Sequence, residues 1–284
     1  MTGIQLPSGL RLGYERHNEG GGDVLVLVAG TGSDHRFWHL QVPAYSEQFD
    51  VIAVDLRGAG AAEIAPDPET YTSPVLAADL AELLDVLGIE RAHLSGHSLG
   101  SATLQELALL DPSRVQSLQL HATWGRADEW LKRAFIGTSQ YPLARGDMRM
   151  TLRTVLMWML SPEYLESRNP PEITAMIDRC YISNPELDQT GVGMLGHLHA
   201  DAVHDTLDRL RSITAPTLVT AGARDYLIPD RYGKQVAALL PNAEYHVFVG
   251  VGSSHGMNWE MHETFNAVTL DFLGRHASGI SDKS

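Results

Sequence analysis

The chain has 284 residues, 44% of them hydrophobic and 20% charged; this suits one large globular domain, or a domain with a sizeable insertion, and excludes disordered and fibrous architectures. Its formal charge of -14, from 35 acidic residues against 21 Lys and Arg, repels nucleic-acid phosphates and anionic membrane surfaces. No uninterrupted apolar run is longer than that from Val24 to Ala29, which falls far short of the roughly 20 residues a membrane-spanning helix requires.

The beginning of the chain has neither a basic stretch nor an apolar one, so a cytoplasmic location is expected. The single Cys180 cannot form an internal disulfide and is expected as a partly buried apolar residue. Ile4 to Leu6 and Leu10 to Tyr14, around Pro7-Ser8-Gly9, predict an antiparallel hairpin at a sheet edge. Short aliphatic runs then recur at Val24 to Ala29, Val51 to Asp55, Ala92 to Ser95, Ser117 to His121, Thr217 to Ala221 and Ala243 to Val249, with helical patterns between them. That alternation predicts an α/β fold with a mostly parallel sheet covered on both faces. The clearest helix starts at Ser73-Pro74 and carries Leu76, Leu80, Leu83, Leu84 and Leu87 before Gly88. From about Gly125 to Thr206 the strand rhythm stops; the segment is rich in Met, Trp and Leu, with helix starts at Ser161-Pro162 and Asn169-Pro170-Pro171. It is expected to be a helical cap over the sheet's carboxyl edge. The chain then divides into a first core part (1–124), a cap (125–206) and a second core part (207–284).

The strand Ala92 to Ser95 runs into Gly96-His97-Ser98-Leu99-Gly100, and a helix follows at once. Gly-x-Ser-x-Gly between a strand and a helix is a nucleophile elbow: the glycines allow a sharp turn and close backbone approach, and the serine hydroxyl stands up at the strand's end. A serine hydroxyl needs a base to take its proton and an acid to orient that base. Asp225 follows the strand Thr217 to Ala221, and His255 follows the strand Ala243 to Val249, giving the chain order Ser98, Asp225, His255. Asp128, after the preceding strand, is the alternative acid. His246 and His262 fall inside a strand and a helix. An oxyanion hole needs two preorganised donors; the Leu99 N–H at the elbow and the Thr31 N–H of Ala29-Gly30-Thr31-Gly32-Ser33 occupy the right positions.

These motifs resemble the α/β-hydrolase superfamily with a helical cap over nearly the whole chain. They include Val24 to Trp38, Phe49 to Gly58, the elbow, Ala215 to Gly222 and the His255 loop. The sequence is similar to the branch that holds enol-lactone hydrolases, small-ester hydrolases, C–C bond hydrolases and cofactor-free haloperoxidase-like proteins. Two motifs depart from that pattern. The usual His-Gly of the oxyanion loop is Ala29-Gly30, which removes a side chain that often braces the loop, and the usual Gly-His-Gly-x-Ser is Gly58-Ala59-Gly60-Ala61-Ala62.

Trp38, Trp124, Met157, Trp158 and Met257 are the candidates for an apolar substrate pocket. His197, His199 and His204 lack a metal-binding pattern, so no metal and no cofactor are expected. His35, Arg36, Arg149 and Arg153 are expected at the solvated surface. The reading is a serine hydrolase that cleaves an ester or lactone of a small, largely apolar substrate through an acyl-enzyme, with no nucleic-acid or membrane partner and no signal for oligomeric state. The alternatives are C–C cleavage, lyase or cofactor-free oxygen chemistry in the same pocket, and a ligand receptor with incidental turnover.

Overall fold

A computed structural model of the chain describes residues 2–278 other than 145, 147, 170, 173–174 and 176–190; Cys180 lies outside the described residues. Eight strands form one sheet: β1 (Thr2–Gln5), β2 (Arg11–His17), β3 (Val24–Val28), β4 (Asp50–Asp55), β5 (Ala92–His97), β6 (Val115–His121), β7 (Thr217–Gly222) and β8 (Ala243–Phe248). Their spatial order is β1-β2-β4-β3-β5-β6-β7-β8, with β1 and β2 antiparallel to each other and β2 antiparallel to β4, and the other pairs parallel. This mostly parallel sheet with an antiparallel edge is the architecture that the resemblance implied.

The helices among the described residues are α1 (Val42–Tyr45), α2 (Ser73–Val86), α3 (Leu99–Leu110), α4 (Glu129–Ala144), α5 (Met148–Met159), α6 (Pro162–Glu166), α7 (Val192–Val203), α8 (Arg231–Leu239), α9 (Met257–Glu260) and α10 (His262–Arg275). Helix α2 spans the predicted residues, but its cap is Thr72, whose Oγ1 accepts the Val75 N–H at 3.4 Å, and not Ser73, which lies inside the helix. Gly88, at φ +68°, then ends the run in a conformation that a side chain would resist.

Alternation along the central strands sorts their residues between two apolar layers. Leu25, Leu27, Val51 and Ala53 pack on one face with Phe37, Trp38, Trp124 and Phe265, and Leu131, Leu156, Met159 and Leu198 of the inserted helices join that layer. Val26, Val28, Ile52 and Val54 pack on the other face against α2 and α3. The two ends of the helical segment lie side by side: the Thr206 N–H donates to the Gly125 carbonyl at 2.7 Å, and the Ala127 N–H to the His204 carbonyl at 3.2 Å. No helix among the described residues is long and apolar enough to cross a membrane.

Candidate active site

Strands β3, β5, β7 and β8 are parallel, so the loops after them gather at one edge of the sheet, where ligands bind in this type of architecture. The elbow between β5 and α3 is the tightest of these connections. Ser98 stands between strand and helix at φ 54°, ψ -121°, a strained backbone for a residue with a side chain. The flanking glycines are required by contact. A Cβ on Gly96 would come within 2.6 Å of the Gly100 backbone, and one on Gly100 within 2.1 Å of the Val28 carbonyl oxygen. The turn is locked by the Ser98 N–H, which donates to the His121 carbonyl at 2.9 Å, and by the Ser101 hydroxyl, which donates to the Ser98 carbonyl at 2.6 Å. Leu99 opens α3, so its N–H belongs to the first turn, whose donors lack partners inside the helix and carry the positive end of its dipole.

Asp225 and His255 meet at the same edge. The His255 Nδ1–H donates to Asp225 Oδ2 at 2.8 Å, and the N–H groups of Leu227 and Ile228 donate to Asp225 Oδ1 at 2.9 and 2.8 Å. Both side chains are almost wholly buried. The two loops are stitched together: the Arg224 N–H donates to the Ser253 carbonyl at 2.8 Å, and a Cβ on Gly222 would lie 2.3 Å from that same carbonyl oxygen. The alternative acid, Asp128, is otherwise engaged. Its Oδ1 accepts the Leu131 N–H at 3.0 Å, and the Tyr232 hydroxyl is 2.8 Å from both of its carboxylate oxygens. Partial burial pushes the Asp128 carboxyl up, but these donors outweigh it and hold the group below the usual carboxylate range.

Ser98, His255 and Thr31 line one cavity of about 40 Å³, room for on the order of three waters. Its apolar wall includes Phe37, Phe135, Val155, Met159, Met194 and Leu198. The five side chains expected to form a substrate pocket lie elsewhere. Trp38, Trp124 and Met257 are completely buried in the core, Met157 is 74% exposed and Trp158 is half-buried. For Met157 the reason is helical phase. Val155 and Met159, four residues apart, share the inner face of α5, which turns Met157 outward. In the first loop the wall is Phe37, the neighbour of Trp38.

The loop Gly30 to Ser33 is braced from the inserted helices, a contact that the sequence pattern did not indicate. The Gly32 N–H donates to His197 Nδ1 at 2.9 Å, and the His197 Nε2–H donates to the Arg57 carbonyl at 2.8 Å. One turn later on α7, Asp201 Oδ2 accepts the Thr31 hydroxyl at 2.6 Å. Among the described residues no acceptor takes the Thr31 N–H. Burial pushes the His197 imidazole down to about 4 and the Asp201 carboxyl up to about 7. Thus α7 occupies the role of the bracing side chain missing at Ala29. The signal available in the sequence was the i, i+4 spacing of His197 and Asp201. A second clasp holds the histidine loop, where the Gly256 N–H donates to the Met159 carbonyl at 2.7 Å.

The altered turn after β4 wraps around Asp55. Its Oδ2 accepts the Ala61 N–H at 2.9 Å, and its Oδ1 accepts from the His35 N–H at 2.8 Å and from His35 Nδ1 at 2.7 Å. His35 is therefore buried, whereas the sequence placed it at the solvated surface. Asp34, His35 and Asp55 bring donor atoms within 4.8 Å of one another, but Asp34 caps the Arg36 N–H and pairs with its guanidinium, so internal hydrogen bonds account for the group.

The alpha/beta hydrolase fold family profile matches residues 23–255, and the chain belongs to that family. It is an enzyme of the hydrolase class. Over 262 residues, 92% of this chain and 95% of the relative, it is 30% identical to the Caulobacter segnis protein named "Putative carbamate hydrolase RutD". Two solved structures are similar to it throughout. A hydrolase from Pseudomonas aeruginosa shares 29% identity at a TM-score of 0.82, covering 96% of this chain and 98% of the other. The enol-lactonase from Burkholderia xenovorans shares 26% identity at a TM-score of 0.83, covering 96% and 100%.

Proposed function

We propose that the protein is a serine hydrolase that cleaves an ester or lactone of a small, largely apolar substrate through an acyl-enzyme. The observation that carries this reading is the 2.8 Å pair between His255 and Asp225 beside a cavity that Ser98 and His255 line together. Asp225 holds the His255 Nδ1 proton, which leaves Nε2 as the base. Ser98 Oγ attacks the carbonyl carbon, His255 accepts the hydroxyl proton, and the negative charge on the carbonyl oxygen is met by the Thr31 and Leu99 N–H groups. His255 then protonates the leaving alcohol, and a water activated by the same imidazole releases the acid.

The small cavity and its apolar wall support a short acyl group. The relatives named for carbamate and enol-lactone hydrolysis support carbonyl chemistry of this kind. The described residues of the segment 125–206 act as a cap over the site, in one chain with core parts 1–124 and 207–284. The reaction takes place in the cytoplasm on a small molecule, without nucleic acid or membrane, and needs neither metal nor cofactor. The test is rapid mixing with p-nitrophenyl acetate followed by acid quench and intact-mass measurement. A burst of nitrophenolate together with a protein heavier by one acetyl group is expected. Turnover without any acylated protein would favour the C–C, lyase or oxygen chemistries, and a single stoichiometric turnover on every ester and lactone would favour a receptor.

A further inference from the structure

One polar group in the cavity has no part in this acyl transfer. Asp201 projects from α7, is fully buried, and lines the same cavity as Ser98 and His255. Only one of its oxygens is used: Oδ2 accepts the Thr31 hydroxyl at 2.6 Å, while Oδ1 has no partner among the described residues. A buried carboxyl oxygen left unpaired is costly, and bracing Thr31 requires a single acceptor. The bond to Thr31 also fixes where the free oxygen stands, since the N–H of that same residue is one of the two donors assigned to the carbonyl oxygen.

A second acceptor without a partner belongs to another residue of the same wall. His97 lines the cavity, and its Nε2 is 2.9 Å from the His255 carbonyl oxygen, which can only accept; the proton therefore sits on Nε2 and leaves Nδ1 bare. Nδ1 too is buried without a partner. Burial and the neighbouring His255 hold the His97 imidazole well below its ordinary value, which keeps it neutral. Among the polar residues of the wall, which also include Thr31, Ser33, Ser98 and His255, these two acceptors lack partners, and a hydrogen-bond donor on the ligand would satisfy one of them.

We propose that Asp201 is a specificity-determining residue whose free Oδ1 accepts a hydrogen bond from a neutral O–H or N–H group carried by the substrate next to the scissile carbonyl. The substrate class is thereby narrowed from simple alkyl esters to small acyl compounds bearing such a donor, hydroxy-acyl or amino-acyl. This deepens the serine-hydrolase reading and rests on it.

The test compares phenyl glycolate with phenyl propionate, whose acyl groups differ by a hydroxyl in place of a methyl. The wild-type enzyme is expected to prefer the glycolate in kcat/KM. With both esters compared above pH 8, where a carboxyl that titrates at about 7 is ionised and Oδ1 is a bare acceptor, that preference should fall about ten- to hundredfold in Asp201→Leu, the effect of losing a hydrogen bond to a charged group. Asp201→Asn, which keeps the shape and one carbonyl acceptor, should lose part of the preference and serves if the Leu variant does not fold. A preference absent from the wild type, or equal losses on both esters in the variants, overturns the proposal and leaves Asp201 as a brace only. A fluorophosphonate labelling control runs in parallel. Normal labelling of Ser98 without a change in preference defeats this inference alone, whereas no labelling of the wild type defeats the hydrolase reading and this inference with it.

Discussion

The two halves of the candidate oxyanion hole are built in opposite ways. The elbow that presents Ser98 and the Leu99 N–H is local: a strand, two glycines without room for a Cβ and a helix fix it within a few residues. The Thr31 half lies on a loop held from 165 and 170 residues away, by His197 and Asp201 on α7. The first is rigid because its backbone has nowhere else to go. The second is correct only when the inserted helices are seated, which couples the geometry of the reaction to the packing of α7.

Damage to the machinery below the loop should produce the largest effect. Asp225→Asn is expected to lower kcat by about 10⁴, because Asn can hold the wrong tautomer of His255. Asp128→Asn should change kcat by no more than a few-fold, since its carboxylate serves Tyr232 and the start of α4. Steady-state kinetics on one ester checks both, and a reversed ranking moves the acid to Asp128.

An intermediate effect is expected from the brace. His197→Leu removes the acceptor of the Gly32 N–H and should lower kcat about ten- to hundredfold while KM changes little, because an oxyanion donor acts mainly in the transition state. His197→Gln, which can still accept from an N–H, should recover part of the loss. An equal fall in both variants, or a change confined to KM, would break the contrast between the two halves.

The brace also carries a pH signature. Asp201 titrates at about 7 in the folded protein against roughly 3.9 when unfolded. The native state therefore binds that proton more tightly, and stability falls as pH rises from roughly 4 towards 7. His197 titrates at about 4 when folded against roughly 6.5 unfolded, so its contribution is lost as pH falls from roughly 6.5 towards 4. Thermal unfolding of Asp201→Asn should therefore show a gain over the wild type that grows between about pH 4 and 7, a tenfold difference in proton affinity between the folded and unfolded chains being worth about 1.4 kcal/mol. A gain independent of pH would mean that the buried carboxyl is not the source.

The smallest effects separate the two sides of α5. Val155→Ala enlarges the cavity and should alter KM among esters of different acyl length, whereas Met157→Ala, at an exposed position, should leave kinetics unchanged and stability within about 0.5 kcal/mol.

The contrast also explains what could be read from the chain beforehand. Strands, elbow, Asp225 and His255 were legible because each depends on neighbours in sequence: aliphatic runs, paired glycines, and polar residues just past a strand's end. The loop after β3 was located, but its support was not, since a His and an Asp one turn apart resemble the polar residues of any amphipathic helix. Trp38, Met157 and Trp158 are not among the residues that line the cavity beside Ser98. The lining side chains are set by the path of the first loop and the phase of α5, which give the positions to Phe37, Val155 and Met159 and turn Met157 outward.

The most direct test of the account is active-site labelling with a fluorophosphonate, read by intact mass and peptide mapping, in the wild type, Ser98→Ala and His197→Leu. One adduct on Ser98 is expected in the wild type, none in Ser98→Ala, and a slower approach to the same single adduct in His197→Leu. An adduct that persists in Ser98→Ala, or a wild-type protein that never labels, would contradict the assignment of Ser98 as the nucleophile.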